Sequence, residues 1–97
     1  MGLKEAYVER QEAQLNACEA EIQKLEAGAA LAKADAKIAC YEEIHALYAK
    51  RDTARDRLQA LKTASASAWE NLKSGLEDAW DDLRTGMKGA WETLKKA

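Results

Sequence analysis

Over the first sixty positions, core-type residues recur in alternating steps of three and four. Val8, Gln11, Leu15, Cys18, Ile22, Leu25, Ala29, Ala32 and Ala36 make one run; Cys40, Ile44, Leu47, Arg51, Ala54, Leu58 and Leu61 make a second. This is the spacing of a coiled-coil seam. Joining the runs takes two consecutive steps of four, Ala36 to Cys40 to Ile44. A stutter of that kind unwinds a supercoil locally without breaking the helix. The pattern therefore predicts a heptad-like segment over 1–62, formed as one long helix from about residue 3. The alternative is a hairpin corner at Gly28, because glycine often closes a helix. No Asn, Asp, Ser or Pro adjoins Gly28. A glycine tolerated inside a helix costs about 1 kcal/mol against alanine, so the continuous helix is preferred.

The last thirty residues follow a different period. The unit Ala-Trp-acid-x-Leu-basic starts at Ala68, Ala79 and Ala90, so Trp69, Trp80 and Trp91 lie eleven apart. Eleven residues complete three turns at about 3.67 residues per turn, close to a straight helix. At about 100° per residue, Trp80 and Trp91 advance only about 20° and 40° from Trp69. Leu72, Leu76, Leu83, Met87 and Leu94 fall within about 60° on the other side of Trp69. All eight share an arc near 100° wide, a sharply amphipathic helix over 68–97. Lys73, Arg84 and Lys95 flank one edge, where their stems can cover the stripe. Ala68, Ala79, Ala90, Gly75 and Gly86 flank the other, and so little bulk there lets another backbone approach.

The segment TASASA (63–68) separates the two patterns, with 63–67 predicted as a bend or short linker. Ser67 followed by Glu70 matches a capping box and predicts a helix start near Ala68. The fold class is therefore all-α: a long coiled-coil helix and an amphipathic eleven-residue-repeat helix, as a helical hairpin or an oligomeric bundle. A three-helix bundle turning near Gly28 is the alternative.

Composition narrows the function classes. Fifteen basic and seventeen acidic residues give a net charge of −2. Nucleic-acid binding leaves a basic footprint, which is missing here. No apolar run approaches the roughly 18 residues of a membrane span. The start, MGLKEAYVERQEAQ, lacks the apolar h-region of a secretory signal and has Ala6 where a myristoylation motif needs Ser or Thr. These features predict a cytoplasmic protein, peripheral to a membrane or granule if the tail meets a surface. They also predict that Cys18 and Cys40 are free thiols.

Candidate chemistry is sparse. Cys40 and the single histidine, His45, are five apart, about 140° around a helix, so they share no face. Cys18 and Cys40 fall on the seam, where cysteine acts as a small hydrophobe. Antiparallel pairing of two copies about residue 29 would set each Cys18 beside a partner Cys40. The adjacent pairs Glu42–Glu43 and Asp81–Asp82 point about 100° apart and form no acid–base dyad. Tyr41 and Tyr48 share a face and read as flank packing. No catalytic residue, metal site or cofactor is predicted.

AWENLKSG, AWDDLRTG and AWETLKKA, after a charged alanine-rich helix, resemble the layout of a group of small bacterial coiled-coil proteins of unassigned function. That resemblance covers most of the chain and implies no catalytic residues. The eleven-residue period is also similar, more weakly, to the lipid-surface helices of apolipoproteins and synucleins. Three tryptophans of about 150–250 Å² each need cover. The first expectation is a non-enzymatic scaffold that self-associates as a homodimer or homotetramer and buries the face of Trp69, Leu72, Leu76, Trp80, Leu83, Met87, Trp91 and Leu94. The second is a peripheral protein coating a lipid or other apolar surface through that face.

Overall fold

The computed structural model describes residues 2–96. Three helices of similar length follow one another: α1 (Leu3–Ala30), α2 (Ala34–Lys62) and α3 (Trp69–Lys95). They lie side by side in a body of 50 × 19 × 16 Å. The all-α expectation holds, and of the two arrangements the three-helix one is found.

The single helix expected over about 3–62 is thus divided in two. The corner is Leu31–Lys33, just beyond Gly28. Leu31 and Ala32 donate to the carbonyls of Gly28 and Ala29, tightening the last turn of α1. Lys33 then turns extended, with φ −65° and ψ 155°, and its carbonyl accepts the first α2 bond from the Lys37 amide at 2.7 Å. No residue there has positive φ. Leu31 is still helical and Lys33 extended, and with no positive φ in the turn no glycine is needed. Asp35 sits in the first turn of α2, where a negative charge favours the helix dipole. The two steps of four mark the boundary between helices, and are not a stutter within one.

The seam residues then meet across the hairpin. Val8, Gln11, Leu15, Cys18, Ile22, Leu25 and Ala29 are buried on α1. Cys40, Ile44, Leu47, Ala54, Leu58 and Leu61 are buried on α2. Arg51 stays half-exposed at its seam position and ties the helices from the rim. Its guanidinium bonds Glu19 of α1 and Asp52 at 2.8 Å each, and lies 5.0 Å from the centre of the Tyr48 ring. Burial alone would lower its pKa, but Asp52 and Glu19 outweigh that and raise it. Arg55 also pairs with Glu19, Lys62 with Glu12, and the Tyr48 hydroxyl donates to Glu26. Such half-exposed ion pairs fix register more than they add stability.

The entry to α3 also differs from the expected capping box. Ser67 makes no capping bond to the helix. Ser65 takes that role two residues earlier: its carbonyl accepts from the Ala68 and Trp69 amides at 3.1 and 3.2 Å, and its Oγ lies 3.3 Å from the Ala68 nitrogen. Residues 66–68 therefore already turn helically ahead of Trp69. Lys4 of α1 secures the connection by donating to the Ala64 carbonyl at 2.5 Å.

Spin labels at Glu12 and Lys62, in chains diluted with unlabelled protein, test the reversal. The ion pair of these residues at 3.4 Å predicts a short label separation. A continuous helix would hold the labels about 75 Å apart.

Candidate functional site

The amphipathic face of α3 is covered by its own chain. Trp69 and Trp80 are each 8% exposed, and Leu76, Leu83 and Met87 are buried with them. Trp91 and Leu94 are partly buried against the same core. Leu72, at the edge of the stripe, remains 37% exposed. The tryptophans therefore share one covered ridge.

The two edges of α3 meet different neighbours. On the small edge, Ala79 and Ala90 are buried. A Cβ added at Gly86 would lie 3.0 Å from Leu47 Cδ2 and 3.1 Å from Lys50 Nζ, both on α2. Gly75 has open space around it, and its bare carbonyl accepts from Arg57 of α2 at 2.5 Å. The bulky edge faces α1. The Tyr7 and Trp69 rings lie 5.9 Å apart, and the Lys73 ammonium sits 5.1 and 5.3 Å from their centres. The Trp91 Nε1–H donates to Glu21 Oε1 at 3.2 Å. Accordingly α3 approaches α2 closely and α1 much less. Small residues admit a backbone, whereas indoles hold one away.

Gly28 belongs to this packing and is not a corner. A Cβ there would lie 2.7 Å from Leu94 Cδ2, so the end of α3 uses the gap that glycine leaves in α1.

The wide spacing of α1 and α3 leaves a groove. One stretch, about 310 Å³, is lined chiefly by Ala17, Cys18, Trp80, Leu83 and Met87. The adjoining stretch, about 300 Å³, includes Tyr7, Gln11 and Trp80 with a rim of Arg10, Arg84, Glu77 and Asp81. The Tyr7 hydroxyl, Gln11 Oε1 and Trp80 Nε1 are buried without a hydrogen-bond partner in the protein. An unmade buried bond costs about 1–3 kcal/mol. Nothing in the seam spacing announces this trio, because Gln11 and Trp80 each sit at a regular core position. The signal was the polar Gln11 within an apolar series.

The remaining candidates stay apart. Cys18 and Cys40 are free thiols in the core, while His45 is on the exposed face of α2, so the three are not brought together. Copies paired antiparallel through one long helix are replaced by the hairpin within one chain. Burial, then Glu21, raises the Cys18 pKa, opposing thiolate formation. Among the described residues no His, Cys, Asp and Glu gather as a metal site. No helix of the described residues is long and apolar enough to cross a membrane. Tyr41 stands 40% exposed, while Tyr48, half-buried, bonds Glu26.

The glycines give a paired test. Gly89→Ala, into open space on α3, is expected to raise stability by about 0.5–1 kcal/mol. Gly86→Ala meets Leu47 and should gain clearly less, or lose. Equal urea midpoints for the two variants would contradict the close α2–α3 approach.

Alkali gives a second test. The Tyr48 hydroxyl is raised above its ordinary value of 10.0, first by its bond to Glu26 and then by burial. Burial and then Glu77 raise Tyr7 likewise. The folded chain holds these protons to higher pH than the unfolded chain does. Their contribution is therefore full below 10.0 and is lost as pH rises through the folded values. Tyr48→Phe should flatten the decline of the urea midpoint above about pH 10.

No known protein family, no curated protein and no solved structure matches this chain.

Proposed function

We propose that the chain is a non-enzymatic structural or interaction protein that associates with copies of itself, in the cytoplasm, as a homodimer in its simplest form. The Trp–Leu face acts as the internal adhesive, fastening α3 to the α1–α2 hairpin. Association then uses a second surface, the outer face of α2. The observation that carries this reading is an apolar strip standing outside the bundle. Ile38 is 62% exposed and Tyr41 40%, with Leu31 at 90% in the turn before them. Ala34, Ile38, Tyr41 and His45 follow steps of four, three and four, a short coiled-coil seam.

The flanking charges favour a second copy as the occupant. At about 100° per residue, Lys37 lies on one side of the strip and Glu42 on the other. In a parallel pair, each Lys37 faces the Glu42 of the other helix, five residues further on, the usual flanking-charge relation of such a seam. An antiparallel pair would set like charges together. The strip is short, so association is weak and depends on concentration.

Sedimentation across a wide concentration range tests the proposal. The wild-type chain should pass from monomer to dimer, and Ile38→Glu should stay monomeric with unchanged helicity. A wild-type chain that is monomeric throughout, or an Ile38→Glu chain that still dimerises, would refute it.

A second reading, a peripheral coat on a lipid or other apolar surface, is favoured by one observation. Only α3 is strongly amphipathic, and its seam with α1 is the thinnest in the bundle. On this reading α3 exchanges its internal cover for the surface. Vesicles with brominated acyl chains would then quench the tryptophans; under self-association alone they leave them unquenched.

A further inference from the structure

We infer that two copies meet through the α2 strip in parallel register, with His45 against the partner's His45, and that acid separates them. The inference rests on the proposed self-association through that strip and specifies its geometry and its control.

His45 is the only histidine of the chain and lies on the exposed face of α2. With Ile38, Tyr41 and Glu42 it surrounds one shallow surface depression, so the imidazole belongs to the strip itself. Orientation decides what it meets. In a parallel pair Ile38 and His45, one heptad apart, occupy places at which a residue meets its own copy across the axis. In an antiparallel pair centred on the strip, His45 would meet Ala34 and Ile38 would meet Tyr41. The flanking charges select the parallel pair, in which Lys37 faces the partner's Glu42.

The charged groups around the imidazole are few. Glu42, three residues earlier, accompanies it in the single chain as in the pair. In the pair Glu42 also faces the partner's Lys37. Asp52, seven residues on, is bonded by Arg51 at 2.8 Å, with Arg55 4.0 Å away. α1 and α3 pack on the far side of α2 and present nothing to this face. The charge that pairing adds is therefore the partner's imidazole. With helix axes about 8–10 Å apart, two rings on the axis lie within the Debye length of about 8 Å.

Neutral rings pack there, whereas two imidazolium charges repel and each forfeits water. The pair thus takes up protons less readily than the separate chains. Association is full above the ordinary imidazole range, at about pH 6.5, and falls as pH drops through it. No other side-chain type present has its ordinary range between about pH 5 and 8. Overall charge acts the other way: protonation adds one positive charge to each chain's −2, lessening general repulsion between copies. A loss of association in acid therefore comes from the local contact.

Sedimentation of the full chain at about pH 8 and about pH 5.5, at one ionic strength, tests this. Helicity, followed in parallel, should not change. The wild-type dissociation constant should rise about fivefold or more at the lower pH. His45→Asn should associate alike at both values, and His45→Lys weakly at both. Wild-type association that is unchanged or stronger in acid would overturn the arrangement while leaving self-association in place. So would a His45→Asn chain that keeps the wild-type response. A wild-type chain that associates at neither pH would sink the proposed self-association and this arrangement with it.

Discussion

The structure depends on the two unlike edges of one helix. Along α3, alanines and glycines line the side that meets α2, and indoles line the side that meets α1. The small edge lets Leu47 and Lys50 reach the backbone at Gly86, and α3 packs more extensively on α2 than on α1. The indole edge buries the most area per residue but cannot be approached as closely. The eleven-residue repeat maintains this division for the whole helix, because a period near 3.67 residues per turn barely drifts around the axis. With a strict seven-residue repeat the two edges would wind around α3, and neither neighbour would meet one kind of surface throughout.

The hairpin answers the same demand. A straight helix over the first sixty residues would leave the α1 and α2 seams, as well as the tryptophan face, to be covered by other chains. Reversal at Leu31–Lys33 brings all three apolar faces together within one chain. The alanine-dense stretch 27–40 is where folding back forfeits least, since small side chains bury little area in any arrangement. Closure within the chain also avoids the entropy of bringing separate molecules together.

Much of this was legible in the residues. The seam from Val8 to Ala29 is buried throughout, and the seam from Cys40 to Leu61 is buried except at Arg51. Trp69, Leu76, Trp80, Leu83 and Met87 are buried, Trp91 and Leu94 are partly buried, and the edge residue Leu72 is exposed. The corner was not legible, because Leu31–Lys33 turns without a positive φ and so demands no particular side chain. Only the doubled step of four betrayed it. The choice between Ser65 and Ser67 as the first turn of α3 was equally hidden, since both precede the helix and tertiary placement decides between them. The orphaned polar trio could not be read from periodicity, because it arises from the distance at which indoles hold α1 away.

Functional consequences divide along the same lines. The closely packed α2–α3 interface holds the bundle, the loose α1–α3 interface leaves a lined groove, and the outer face of α2 keeps Ile38 and Tyr41 exposed, the strip on which the proposed self-association rests. Each depends on the tryptophan ridge being covered by its own chain. Acrylamide quenching of a chain keeping only Trp80, with Trp69→Phe and Trp91→Phe, measures this most directly when followed to high dilution. Covering within the chain predicts a shielded indole whose accessibility does not change with concentration. An indole quenched as freely as in a peptide, or shielding that disappears on dilution, would contradict it.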